Sequence, residues 1–154
     1  MKWKYYIGSI LLVLAVGTVA GLLTRAGTMQ YAELVKPAFS PPAAVFSIVW
    51  TILYTLMGFG LARIFLSEST QVRNQGLNLF WLQLFFNFMW SILFFNFKAY
   101  GIAFFWLLVM LALILAMIKK WYKTDPLAAK LQIPYALWVA FAGILNFAVW
   151  QLNK

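Results

Sequence analysis

The chain has 154 residues, 65% hydrophobic and only 10% charged, with a mean hydropathy of +0.87; a core built from so few residues cannot hide this much apolar surface from water, so lipid is the solvent for most of the protein. The formal charge of +9 is scattered between long uncharged runs, which excludes nucleic acid as a partner and instead places Lys and Arg at membrane edges. With no Cys, no His and only Glu33, Glu68 and Asp125 as acids, the sequence excludes disulfides, zinc, iron–sulfur clusters, His-ligated haem and the Ser-His-Asp and Cys-His nucleophiles.

Five charge-free runs are each long enough to cross a bilayer: Tyr5–Thr24, Pro37–Ala62, Asn74–Phe97, Ala99–Ile118 and Leu131–Asn153. They are apolar all round rather than alternating, so the expected fold is all-α, one domain of five transmembrane helices over about residues 5–24, 42–63, 75–97, 99–119 and 130–151. The first run also reads as a signal peptide cut after Ala20, but it is longer than such an apolar region and continues past that point, which favours a retained helix. Its Gly17 and Gly21 form a G-x-x-x-G pair, assigned to helix packing.

Between the first two runs lies the one long connection, Thr24–Pro42, with room for a short helix around Met29–Val35. Pro41-Pro42 then start the second helix, because a missing N–H costs nothing in a first turn. Phe97-Lys98-Ala99 is so tight a turn that the third and fourth helices must be antiparallel neighbours, whereas Arg63–Arg73 and Lys119–Lys130 read as modest polar links. Eight basic residues fall on the amino-terminal side (Lys2, Lys4, Arg63, Arg73, Lys119, Lys120, Lys123, Lys130) and four on the other (Arg25, Lys36, Lys98, Lys154), which predicts the amino terminus inside and the carboxyl terminus outside.

Three helices carry stripes that mix aromatic and polar groups. The second places Phe46, Trp50, Tyr54 and Met57 on one face; the third, Gln83, Asn87, Trp90, Ser91 and Phe94; the fifth, Tyr135, Trp138, Ala142 and Asn146. An amide in hydrocarbon is costly, so Gln83, Asn87 and Asn146 should point into the bundle. They either glue helices together or line a small-molecule pocket, and spacing leaves both open. Trp3, Trp81, Trp121 and Trp150 lie near run ends and read as an interfacial belt; Trp50, Trp90, Trp106 and Trp138 lie deeper. A pocket so lined favours a large, flat, apolar guest, with Asn87 orienting one polar atom and Arg25 and Lys36 meeting carboxylates at the mouth.

These residues carry a resemblance. Lys36-Pro37 and Pro41-Pro42 followed by F-x-x-V-W-x-x-L-Y-x-x-M-G (Phe46 to Gly58), Q-L-x-x-N-x-x-W (Gln83 to Trp90), W-Y-x-x-x-P-L-A-A-K-L-x-x-P-Y (Trp121 to Tyr135) and W-x-x-F-A-x-x-L-N (Trp138 to Asn146) together resemble the translocator protein family, also called tryptophan-rich sensory proteins or peripheral benzodiazepine receptors. The resemblance implies a five-helix bundle, usually a homodimer, with a cavity opening toward the first loop. It implies as ligands protoporphyrin, isoquinoline carboxamides, benzodiazepines and other lipophilic small molecules, with no bound cofactor and no metal. It places ligand-lining roles at Trp50, Tyr54, Asn87, Trp90, Trp106, Trp138 and Ala142, to which the stripes add Phe46 and Asn146. As for a bacterial member in a cell membrane, it links Trp50 and Trp138 with light- and oxygen-dependent porphyrin breakdown, in which the indoles would donate electrons. One departure stands out: Phe147 and Gln151 occupy the tyrosine and basic positions of the animal sterol motif, so sterol recognition does not carry over. A porphyrin transporter is the alternative function, although five spans do not divide into equal inverted halves and no charge marks a path through mid-membrane.

Overall fold

The computed structural model describes residues 2–154, which are helical throughout apart from short connections. The bundle is formed by α1 (Lys2–Leu23), α3 (Ala43–Phe65), α4 (Gln71–Ser91, prolonged by a π-helical turn over Ile92–Asn96), α5 (Tyr100–Thr124) and α7 (Ile133–Leu152); α2 (Arg25–Tyr31) and α6 (Pro126–Lys130) are short helices in the connections. Five of these helices are long and apolar enough to cross a membrane, as the charge-free runs require. Their outer faces carry bare hydrophobic side chains such as Leu22, Ile48, Ile102 and Leu137, which in water would be untenable together.

Packing follows from where small residues sit. α1 lies along α3, with Gly58 resting on the backbone of Ile10 and Gly17 under the ring of Tyr54. Gly21, its partner in the G-x-x-x-G pair, faces open space, so only half of that pair packs. α4 and α5 are neighbours across the tight turn at Lys98, where φ is +53°, and α5 in turn packs on α7. The short helix of the first loop falls earlier than the predicted 29–35 segment. It follows α1 almost directly and ends at Tyr31, after which the chain goes on in tighter turns, Glu33 N bonded to the Gln30 carbonyl and Leu34 N to that of Tyr31.

At the end of the bundle where α1 begins, the predicted link 119–130 is mostly helix. α5 runs on to Thr124, with Lys123 in its last turn complementing the dipole, and Asp125 then caps α6 by accepting from Leu127 N at 3.1 Å, with Pro126 in the first turn. Asp125 also pairs with Arg63 at 2.8 Å, fastening α6 to the end of α3. Arg73 closes the α3–α4 connection by donating to the Ile64 and Phe65 carbonyls, satisfying acceptors that a helix end leaves free.

Trp121 corrects one expectation. It is not part of an interfacial belt but fully buried, stacked on Phe80 (centroids 5.6 Å apart) and donating its indole N–H to the Gly76 carbonyl at 3.1 Å. The link that seemed to put it at the surface is the last turn of α5, whose Trp121 side turns in toward α4. Trp3 does lie exposed near a helix end, as the belt reading has it, whereas Trp81 is exposed at the middle of α4, half-way along the span and away from its ends.

Candidate functional site

The three stripes face one another in the interior. Gln83, Asn87 and Asn146 are all buried, and the amide oxygen of each accepts from a side chain of another helix. Tyr54 Oη donates to Asn87 Oδ1 at 3.1 Å, Asn87 Nδ2 donates to Tyr135 Oη at 2.8 Å, and Tyr135 Oη donates to Gln83 Oε1 at 2.7 Å. One directional chain of hydrogen bonds thus joins α3, α4 and α7 at mid-depth, each donor used in the same sense. One turn further out, Trp90 Nε1 donates to Asn146 Oδ1 at 3.0 Å, and Asn146 Nδ2 reaches the Tyr100 carbonyl at 2.9 Å.

Around this polar core lie the rings. Trp50 stacks on Tyr54 at 5.4 Å and meets Tyr135 edge-on at 6.3 Å; Phe46 meets Trp138 edge-on at 5.7 Å, and Trp138 leans on Phe141 at 5.4 Å. Such offset and edge contacts are the arrangements aromatic pairs prefer. Ala142 is buried on the same α7 face. The Trp138 indole N–H is enclosed yet has no acceptor, as has the amide nitrogen of Gln83. A buried donor without a partner costs about 1–3 kcal/mol.

Phe46, Trp50, Tyr54, Asn87, Trp138 and Ala142 are therefore gathered at one place, with Trp90 and Asn146 forming a linked layer just outside it. Trp106 stands apart: its ring stacks on Phe86 at 4.1 Å and its N–H goes to the Phe86 carbonyl at 2.8 Å. Tyr135 and Gln83 are central to the network, and their spacing signals it. Each lies one helical turn before a stripe residue, Trp138 and Asn87 respectively.

Over the end of the bundle where α7 finishes runs the strap between α2 and α3. Val35 is held to the end of α7 by two hydrogen bonds with the Asn153 amide (3.2 and 2.8 Å), and Phe39 packs edge-on against Phe141 at 6.1 Å. Lys36 does not reach inward; its ammonium lies 5.1 Å above the Tyr31 ring and donates to the Ala32 carbonyl. Burial, the largest influence, raises the Tyr31 phenol above its ordinary pKa. Two hollows lie elsewhere: a cavity of about 30 Å³ beneath α2, bounded by Gly27, Tyr31 and Phe95, and an open apolar groove of about 390 Å³ between α1 and α4. Among the described residues no cluster of three or more acids could hold a metal ion.

Sequence comparison speaks to the same residues. The profile of the TspO/MBR family matches residues 9–151, which takes in all three stripes. The chain belongs to the TspO/MBR family. It is similar to the translocator protein of Bos taurus (35% identity over 99% of this chain and 92% of the relative) and to the tryptophan-rich protein TspO of Chlorobaculum tepidum (35% identity, 92% and 91%). It is also similar to the protein CrtK of Rhodobacter capsulatus (32% identity, 80% and 78%). This TspO/MBR protein is accordingly an integral membrane protein, with its five apolar helices as the anchor.

Proposed function

We propose that this TspO/MBR-family protein is a membrane-embedded receptor for a flat, lipophilic tetrapyrrole of the protoporphyrin IX kind, and that the same site takes drug-like lipophiles such as isoquinoline carboxamides and benzodiazepines. The observation that carries this reading is the meeting of Phe46, Trp50 and Tyr54 from α3 with Tyr135 and Trp138 from α7 around the Asn87 amide. Ring faces supply stacking and area for a planar guest, and the free Trp138 N–H offers a donor to a carbonyl or carboxylate. The guest displaces side chains rather than filling a standing void, since the rings now pack on one another. The distribution of basic residues supports a topology with the amino terminus inside.

The test is titration of the purified protein with protoporphyrin IX while indole emission is followed. Trp138→Phe and Asn87→Ala are each expected to bind about tenfold more weakly, equivalent to about 1.4 kcal/mol; affinity equal to that of the wild type places the site elsewhere. We further propose that Trp50 and Trp138 donate electrons in light- and oxygen-dependent porphyrin breakdown, because no His, Cys or paired acids are at hand. Porphyrin absorbance should then fall under illumination in air and hold steady in the dark. The loss should stop in Trp50→Phe, and unchanged breakdown removes that role.

A further inference from the structure

We propose that the guest reaches this site sideways out of the bilayer, through the seam between α3 and α7, with the Val35–Ser40 strap as its closure; the proposal rests on the receptor reading above. α3 packs along α1 and α7 along α5, but the α3 and α7 backbones do not pack closely on each other. Polar ties cross the seam only near its two ends. Toward the inner end Gln132 donates to the Leu56 carbonyl at 3.1 Å, and at the outer end the Asn153 amide holds Val35.

Between those ties the two sides meet ring against ring, Phe46 on Trp138 and Phe39 on Phe141. Rings can slide apart in lipid without stranding a hydrogen-bonding group, whereas a parted backbone ladder could not. Ile48 of α3 and Leu137 of α7 are 59% and 67% exposed, so the outward surfaces of the two helices that bound the seam are apolar and suit acyl chains rather than water. Pro37 stiffens the strap and Pro41-Pro42 stiffen its junction with α3, so that it would swing as one piece once the Asn153 pair and the Phe39 contact let go. A flat apolar guest is already concentrated in the bilayer, and this route spares it a return to water.

The chain has no cysteine, so Phe39→Cys with Phe141→Cys gives a single pair of thiols in the intact protein. The protein is placed in phosphatidylcholine nanodiscs and the pair joined by a short cleavable bismaleimide, with completion read by mass spectrometry. Protoporphyrin IX is the probe, and its uptake is followed by quenching of indole emission. Joining the pair should slow uptake at least tenfold, and cleavage should restore it. The uptake rate should also follow the mole fraction of probe in the lipid rather than its aqueous concentration. Asn153→Ala, which loosens the strap without touching the ring cluster, should speed uptake and release together several-fold and leave affinity unchanged. Uptake untouched by joining, together with wild-type rates in Asn153→Ala, overturns the lateral route while leaving the receptor reading intact. Absence of binding in the unjoined protein instead overturns the receptor reading, and the route falls with it.

Discussion

Gly17 of α1 lies directly beneath the phenol ring of Tyr54 on α3. That ring cannot easily give way, because it stacks on Trp50 and its hydroxyl is bonded to Asn87. A methyl at position 17 would push into it, and Gly17→Ala is expected to lower stability by about 1–3 kcal/mol. Gly21→Ala, where a Cβ meets nothing, should be neutral or stabilise by up to about 1 kcal/mol through helix propensity. Thermal unfolding of the two variants in detergent makes the comparison, and equal midpoints refute the packing role of Gly17.

Tyr135 both accepts from Asn87 and donates to Gln83, while Tyr54 is bonded only once in the same chain. Removing the Tyr135 hydroxyl leaves an amide N–H and an amide oxygen unpaired in a buried place. Tyr135→Phe should therefore cost about 1–3 kcal/mol, and more than Tyr54→Phe. Denaturation of the two purified variants under one set of conditions gives the order.

The buried Trp121 and the exposed Trp3 make a second contrast. Trp121→Ala removes a stacked, hydrogen-bonded ring from the core and should cost about 3–5 kcal/mol. Trp3→Ala should change stability by less than about 1 kcal/mol, as surface substitutions usually do. Similar losses from both would return Trp121 to the membrane surface.

Asp125 does two jobs, capping α6 and pairing with Arg63. Asn caps a helix as well as Asp but carries no charge, so Asp125→Asn isolates the ion pair and should cost no more than about 1 kcal/mol at this partly exposed position. Asp125→Ala loses both and should cost about 1–2 kcal/mol more. If the two variants melt together, the cap contributes nothing.

Lys98→Cys and Lys123→Cys lie at opposite ends of α5 in a chain otherwise free of thiols. With the amino terminus inside, a membrane-impermeant maleimide added to intact cells should label the first at once and the second only after permeabilisation. The reverse pattern inverts the topology.

The five spans were readable because each averages some twenty side chains against one solvent, and a single misjudged residue cannot move that sum. The inward faces of Gln83, Asn87 and Asn146 were readable for a related reason: an amide has nowhere else to go in hydrocarbon. Periodicity, however, tells which face of a helix is special and not which neighbour meets it. Hence the stripe places Tyr135 without its two amide partners, and Trp106, which the resemblance rather than any stripe assigns to the site, has its ring and N–H on Phe86. Trp121 was misplaced because three lysines around it looked like a water-exposed link, whereas Lys119, Lys120 and Lys123 belong to the end of a long helix. Snorkelling lysines and a buried indole can share one turn.

The wide turn at Ile92–Asn96 holds one residue more than an ordinary helical turn, with Phe97 N bonded back to the Ile92 carbonyl and Ala99 N to that of Leu93. That extra residue rotates everything after it by about 100°. It is what aims the Asn96 amide at the Leu23 carbonyl, 2.9 Å away at the top of α1. A deletion of a single amino acid here would regularise α4 and yet unfasten it from the first helix, so this is a spot where shortening the chain makes the local structure better and the whole assembly worse.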